Sequence, residues 1–130
     1  MKGYRFYKTE RLKSRKLIKA LFSRGKSFGM YPLRLVYMPV VDPALPVPVQ
    51  FTVSVPKRKF RRAVQRNRLR RQVREAWRLH KHELYEALEG QTTTYAFMVL
   101  YVAKEPLPYL EVDKSMQKMI KRFIKKEVRS

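Results

Sequence analysis

The residues with the strongest chemical character in this chain are cationic, and they lie in one stretch. Between Lys57 and Lys81 there are twelve Lys or Arg and one acid, Glu75, a net charge of +11; nine of the twelve are Arg. Placed on a helix at 100° per residue, Asn67, Arg70, Arg71, Arg74, Arg78 and Lys81 share one side. Helical neighbours three and four apart lie about 5–6 Å from each other, and like charges there oppose the helix by about 0.2–0.5 kcal/mol per pair. A polyanion is the natural compensation. The planar guanidinium grips phosphate oxygens through two parallel hydrogen bonds and is weakly hydrated, which suits such a contact. Asn67 adds an amide that both donates and accepts, as reading a base edge or a 2′-hydroxyl requires. The blander possibility is an ordinary solvated helix face. It fits poorly with a nearly one-signed stripe on a chain of net charge +21.

No constellation for protein-based catalysis accompanies this stripe. Cysteine is absent, which removes disulfides, thiolate chemistry and zinc-ribbon sites together. The acids concentrate in residues 82–113, where six stand against one base, with no paired-carboxylate or His–acid spacing beside the stripe. His80 and His82 are two apart and point in different directions on a helix; His80 falls on the apolar side and reads as a packing residue, so no metal site is expected.

The elements that must position these residues follow from periodicity. A chain of 130 residues, 45% of them hydrophobic, has the size and core of one domain, spanning 1–130. Ser14 to Arg24 reads as a short helix with Leu17, Ile18, Leu21 and Phe22 on one face, Ser14 as its N-cap and Gly25 as its stop. Residues 33–38 and 49–55 read as strands, with the four prolines between Pro39 and Pro48 forming an irregular, hairpin-like connection. A long helix is expected from Arg61 to His80, with Glu83 to Leu88 continuing or restarting it. Its buried face would be Leu69, Val73, Ala76, Trp77 and His80. A strand follows over Tyr95 to Val102, then an amphipathic basic helix carrying Met116, Met119, Ile120, Phe123, Ile124 and Val128. The expected fold is therefore a two-layer α/β (α+β) sandwich of order α-β-β-α-β-α, a small central sheet with helices packed on it.

The segment Ala63-Val64-Gln65-Arg66-Asn67-Arg68-Leu69-Arg70-Arg71-Gln72-Val73-Arg74-Glu75 resembles the signature of the bacterial ribonuclease P protein family, whose hallmark is this Arg-Asn-Arg helix. Arg11-Leu12-Lys13, Phe22 and Gly25-Lys26-Ser27 are similar to that family's N-terminal helix and following turn. Leu35-Val36-Tyr37 and Phe51-Thr52-Val53-Ser54 resemble its first strands. The likeness runs in order over residues 10–103, and the last helix matches in character. The turn Val55-Pro56-Lys57-Arg58-Lys59-Phe60 is longer than the family's short Lys-Lys turn and carries a proline.

The resemblance implies an accessory subunit. Catalysis would belong to an RNA, which removes the 5′ leader of precursor tRNA with Mg2+ bound mainly by that RNA, and no protein side chain would be catalytic. It implies RNA contacts at Arg66, Asn67, Arg68, Arg70, Arg71 and Arg74, with Arg78 continuing the stripe. It further implies a leader-binding cleft at Ile18, Phe22 and Tyr37 with Phe51 beside them, Tyr37 being suited by its hydroxyl to a partly wet site. The expected partners are the catalytic RNA, in a 1:1 complex with a protein monomer, and precursor tRNA. The resemblance also implies a left-handed β-α-β crossover of the ribosomal protein S5 domain 2-like type, against the usual right-handed rule.

A basic ribosomal-RNA-binding protein without a catalytic partner fits the composition equally well, and only the Arg66-Asn67-Arg68 signature separates the two. A DNA-binding regulator would show a short recognition helix, whereas this basic helix is long. No apolar run approaches the roughly 18–20 residues of a membrane span, and Met1 to Lys8 lacks the apolar stretch of a signal peptide, so a cytoplasmic protein with no membrane partner is expected. If the arginine stripe meets phosphates, RNA affinity falls steeply with salt. Six or more contacts give a log–log slope of about −4 or steeper, and a flat response in a binding titration from 0.05 to 0.5 M salt, roughly the range over which such contacts are screened, excludes the electrostatic reading.

Overall fold

The structure is a computed structural model that describes residues 6–129; Met1–Arg5 of the basic N-terminal segment, and Ser130, lie outside the described residues. A single helical turn at Lys8–Glu10 precedes α1 (Arg15–Arg24), β1 (Lys26–Met30), β2 (Leu33–Val40), β3 (Val49–Ser54), α2 (Ala63–Leu88), β4 (Thr94–Tyr101) and α3 (Tyr109–Phe123), which runs into a π-turn at Ile124–Val128. Ser14 caps α1 as expected, its Oγ accepting from the Leu17 N–H. The long basic helix continues unbroken to Leu88.

Two features differ from the sequence reading. β1 was not anticipated: Lys-Ser-Phe-Gly-Met has no apolar alternation, because only Phe28 points inward from this edge strand. It forms a hairpin with β2, pairing Lys26 with Tyr37 and Met30 with Leu33. Nor do the strands on either side of the proline-rich stretch form a hairpin. The sheet order is β1-β2-β4-β3, and β4 lies between them, antiparallel to β2 and parallel to β3. Pro39 belongs to β2 rather than to the connection. It lies beyond Tyr37, the last residue paired with β1, where a missing N–H loses no ladder bond on that side.

Strand alternation sorts the core into two layers. Leu33, Leu35, Tyr37, Val49, Phe51, Val53, Tyr95, Phe97, Val99 and Tyr101 face α2 and α3. The intervening Val36, Ala96 and Met98 face α1, with Leu12 and Leu21 packed on them. α1 therefore adds a small third layer on the opposite face from α2 and α3. The face of α2 expected to be buried is the one that packs: Leu69, Val73, Ala76 and Trp77 are all buried. Trp77 stacks on Phe51 with 4.5 Å between centroids and 5° between planes. His80 is half-buried beside them and its Nε2 lies 2.7 Å from Asp113 Oδ1 of α3.

Gly25 ends α1, but not through a left-handed backbone, since its φ is −70°. Its small size matters instead: a Cβ there would sit 2.5 Å from the Leu21 carbonyl oxygen and 2.9 Å from Val36 Cγ1. Gly25→Ala should therefore destabilise the protein by about 1–3 kcal/mol, the scale of overpacking, through separation of α1 from β2. Urea denaturation checks this, and an unchanged midpoint overturns the close-packing account.

Candidate nucleic-acid interface

Because Leu69, Val73, Ala76 and Trp77 hold α2 on the sheet, the opposite and lateral faces of the helix are turned to solvent. Asn67, Arg71 and Arg74 are exposed, and Arg70 and Arg78 are half-exposed. Together with Glu75 and Phe6 they line a cleft of about 500 Å3. Within it Asn67 Oδ1 accepts a 2.8 Å bond from Arg70 Nη1, which orients that guanidinium. Glu75, the carboxylate lining the cleft, accepts from both Arg78 Nε and Nη2 at 3.1 and 2.7 Å. That bond holds the Glu75 carboxyl below its ordinary range and raises Arg78 above its own. Arg74, though exposed overall, is held below the usual arginine range by partial desolvation and then by the charges of Arg11 and Arg70. Guanidinium groups converge here with one acid among them, and that acid is engaged.

The Arg-Asn-Arg triplet does not act as a unit. Asn67 lines the arginine cleft, whereas Arg66 turns back to the preceding loop, its Nη1 donating to the Phe60 and Arg61 carbonyls at 2.8 Å each. That contact fixes the long turn before α2. Arg68 lies on another side, lining a separate cleft of about 710 Å3 with Arg62, Val64, Gln65 and Tyr109. Successive helical residues are about 100° apart, so three consecutive side chains serve three surroundings.

Lys81 departs from the expected stripe. It is 2% exposed, and its Nζ donates to both oxygens of Glu10 at 2.7 Å. The Glu10 carboxylate, itself buried, also accepts from the Tyr7 N–H and the Tyr85 hydroxyl. A buried lysine needs such a partner, because an unpaired charge in the interior is prohibitively unfavourable. Glu10 is the single acid among residues 1–26, a legible hint that it was reserved for an internal cation. Phe6 and Arg11 were not expected at the stripe either. They reach it because Arg11 bridges to Phe51 and the Leu12 N–H bonds to the Phe51 carbonyl at 3.0 Å, laying the N-terminal strap along the β3 edge.

The four residues expected to form a leader cleft do not share a surface. Phe22 is 66% exposed and Ile18 is half-buried, packed on the α1 face of the sheet. Tyr37 and Phe51 point to the other face. Tyr37 is fully buried, its hydroxyl donating to Glu127 Oε2 at 2.6 Å, and burial followed by that bond raises its pKa. Phe51 is held against Trp77. The period of two that governs strands decides this: in β2, Val36 and Met38 face α1 and Tyr37 cannot. Among the described residues no cluster of three His, Asp or Glu could hold a metal ion, and no helix is long and apolar enough to cross a membrane.

The α/β architecture with an arginine-lined cleft defines a basic RNA-binding domain. Comparison with known proteins narrows the class. The family model described as Ribonuclease P matches residues 6–124. The chain is 42% identical over 117 residues to the ribonuclease P protein component of Porphyromonas gingivalis, covering 89% of this chain and 84% of that one. Its fold is similar to that of the Staphylococcus aureus RNase P protein, with a TM-score of 0.68 at 20% identity, over 92% of this chain and 97% of that one. The Thermotoga maritima RNase P protein superposes with a TM-score of 0.66 at 21% identity, over 87% and 96% of the two chains. The chain belongs to the ribonuclease P protein family, the RNA-binding subunits of ribonuclease P.

Glu75 is the one brake on the cleft. Glu75→Gln should leave the fold intact, since an exposed pair three apart adds little, while releasing Arg78 and removing a negative charge. RNA affinity should rise roughly fivefold at low salt, with a log–log salt slope steeper by about one. A filter-binding titration checks both, and unchanged affinity and slope exclude the cleft from the contact.

Proposed function

We propose that this subunit serves a catalytic RNA that removes the 5′ leader of precursor tRNA, and that no protein side chain takes part in bond cleavage. The observation that carries this reading is the exposed arginine cleft of α2, whose only lining carboxylate is already engaged by Arg78. Such a surface attracts RNA phosphates, and among the described residues that line it the one carboxylate, Glu75, is bonded to Arg78. Its role is electrostatic. It neutralises phosphates where two RNA molecules must approach, lowering the Mg2+ the catalytic RNA needs for folding and substrate binding. Mg2+ itself is held mainly by the RNA in this reading. One protein monomer joins one catalytic RNA, in the cytoplasm where tRNA is made.

The leader is assigned to the sheet face that carries α1. There Ile18 and the exposed Phe22 lie with the half-buried Gln50, Thr52 and Ser54 of β3, the outward alternates of Val49, Phe51 and Val53. Phe22, 66% exposed, offers its ring to a base on that side. A base stacked on an aromatic ring is worth about 1–3 kcal/mol whatever its identity, which suits a leader of variable sequence. The ribosomal-RNA alternative is not favoured, because the relatives that match nearly the full chain are ribonuclease P proteins.

Addition of the protein to a bacterial ribonuclease P RNA at low Mg2+ should restore 5′ processing of precursor tRNA, and the protein alone should cleave nothing. The reconstituted complex should bind leader-containing tRNA more tightly than leaderless tRNA, with Phe22→Ala narrowing the gap roughly tenfold. No restoration at low Mg2+ defeats the functional reading, and equal binding of the two tRNAs defeats the leader assignment.

A further inference from the structure

We propose that Arg11, Arg70 and Arg74 form a clamp for a single backbone phosphate of the RNA partner, with the buried Glu10–Lys81 ion pair as the latch that holds Arg11 in place. This rests on the functional reading above and gives the arginine cleft a defined ligand and a second wall.

One jaw belongs to α2. Arg74 stands one helical turn beyond Arg70, and Arg70 is aimed by its bond to Asn67 Oδ1. The other jaw belongs to the strap of residues 6–12. Phe6 lines the same cleft as Arg70 and Arg74, and the Arg11 guanidinium carbon lies 5.4 Å from the centre of the Phe6 ring. Arg11 and Arg70 both act on Arg74, disfavouring its charge after the contribution of desolvation, so Arg74 meets a cation from its own helix and one from the strap. The nearby carboxylate does not relieve them, because Arg78 occupies both oxygens of Glu75. A phosphate offers several acceptor lone pairs to planar forks converging from two elements, a match that a single carboxylate satisfies only in part.

A cation held near another stays in place only if its backbone is tied down, and Arg11 faces the charge of Arg74. Leu12 and Arg11 are tied to Phe51 by a backbone bond and a bridge. On the other side of Arg11, Glu10 is 3% exposed and bound to Lys81 and Tyr85. Gln50 Nε2 donates to the Thr9 carbonyl at 3.0 Å. Buried ion pairs add little net stability over a hydrophobic substitute, but loss of one partner is severe because the other is left uncompensated. This pair therefore matters through the geometry it imposes. The strap places Arg11 against the α2 cleft, and Lys81, three residues beyond Arg78 on the same helix, is its anchor.

The test uses the full chain and a bacterial ribonuclease P RNA transcript, with a double-mutant cycle read by equilibrium binding. Arg11→Ala and Arg74→Ala should each weaken binding about tenfold, the scale of one charge-assisted hydrogen bond, and, because the salt slope counts neutralised phosphates, the two changes together should lower it by about one at most. Because they share one phosphate, the double variant should lose only about twentyfold, whereas Lys125→Ala with Arg74→Ala should multiply as distant sites do. A product near a hundredfold for Arg11 and Arg74 overturns the clamp. Glu10→Gln removes an acid, so the protein's field alone predicts tighter RNA binding; the latch predicts binding about fivefold weaker with a native circular dichroism spectrum. Equal or tighter binding overturns the latch. If Glu10→Gln does not fold, Tyr85→Phe keeps every charge and should weaken binding about twofold, with no change counting against the latch. Wild-type protein that binds the transcript no better than a control RNA defeats the functional reading and the clamp together; specific binding with an additive cycle defeats the clamp alone.

Discussion

The rotation of α2 about its own axis is the constraint on which the rest of this molecule depends. Leu69, Val73, Ala76 and Trp77 are buried against the sheet, and the flat stack of Trp77 on Phe51 leaves little freedom to turn. Interiors packed to crystal-like density resist such rotation. Once that seam is set, each arginine of the helix has an assigned direction: Asn67, Arg70, Arg71, Arg74 and Arg78 to the main cleft, Arg68 to the second cleft, and Arg66 back to the loop carbonyls. A change of about 100°, one residue's worth, would move the whole set to the wrong faces. The precision of the cationic surface is therefore a property of the apolar seam beneath it.

Charge in this protein is arranged so that the acids do not quench the working surface. The carboxylates with defined contacts are spent locally: Glu10 on buried Lys81, Asp113 on His80, Glu83 on Lys121, Glu127 on Tyr37 and Lys26. Most of these pairs join elements rather than residues of one helix. Glu75 is the exception, placed inside the cleft and matched to Arg78. The outcome is a stable interior combined with an electrostatic demand at the surface that only an external polyanion meets. The C-terminal end of α3 adds a second basic region of different character, with Arg122 and Lys126 lying over the Phe28 ring. There the cations are partly committed to an aromatic face, whereas the α2 arginines line an open cleft.

Much of the fold is legible in the order of residues along the chain. The 3.6-residue spacing of Leu69, Val73, Ala76 and Trp77 marks the buried face of α2, and charge segregation marks the arginine-rich face that is turned to solvent. Ser14 marked the start of α1, and the strands at 33–40, 49–54 and 94–101 came within a residue or two of their observed bounds. β1 was invisible because an edge strand buries a single residue, Phe28, and so carries no alternation to read. The family resemblance implies a cleft role for Tyr37 and Phe51; their position in the strand phase turns them instead to the α2 and α3 side.

What the sequence alone determined are the quantities that depend on near neighbours: helical and strand periods, caps, and the sign and density of charge. Periodicity and Coulomb's law act within a few residues, so they can be read from order along the chain. The tertiary structure alone decided which elements meet. It put β4 between β2 and β3, brought Glu10 to Lys81 across 71 positions, and laid Arg11 over the Phe6 ring that lines the arginine cleft. Such meetings depend on how two separate apolar surfaces come to share one sheet, and no local pattern encodes that partnership.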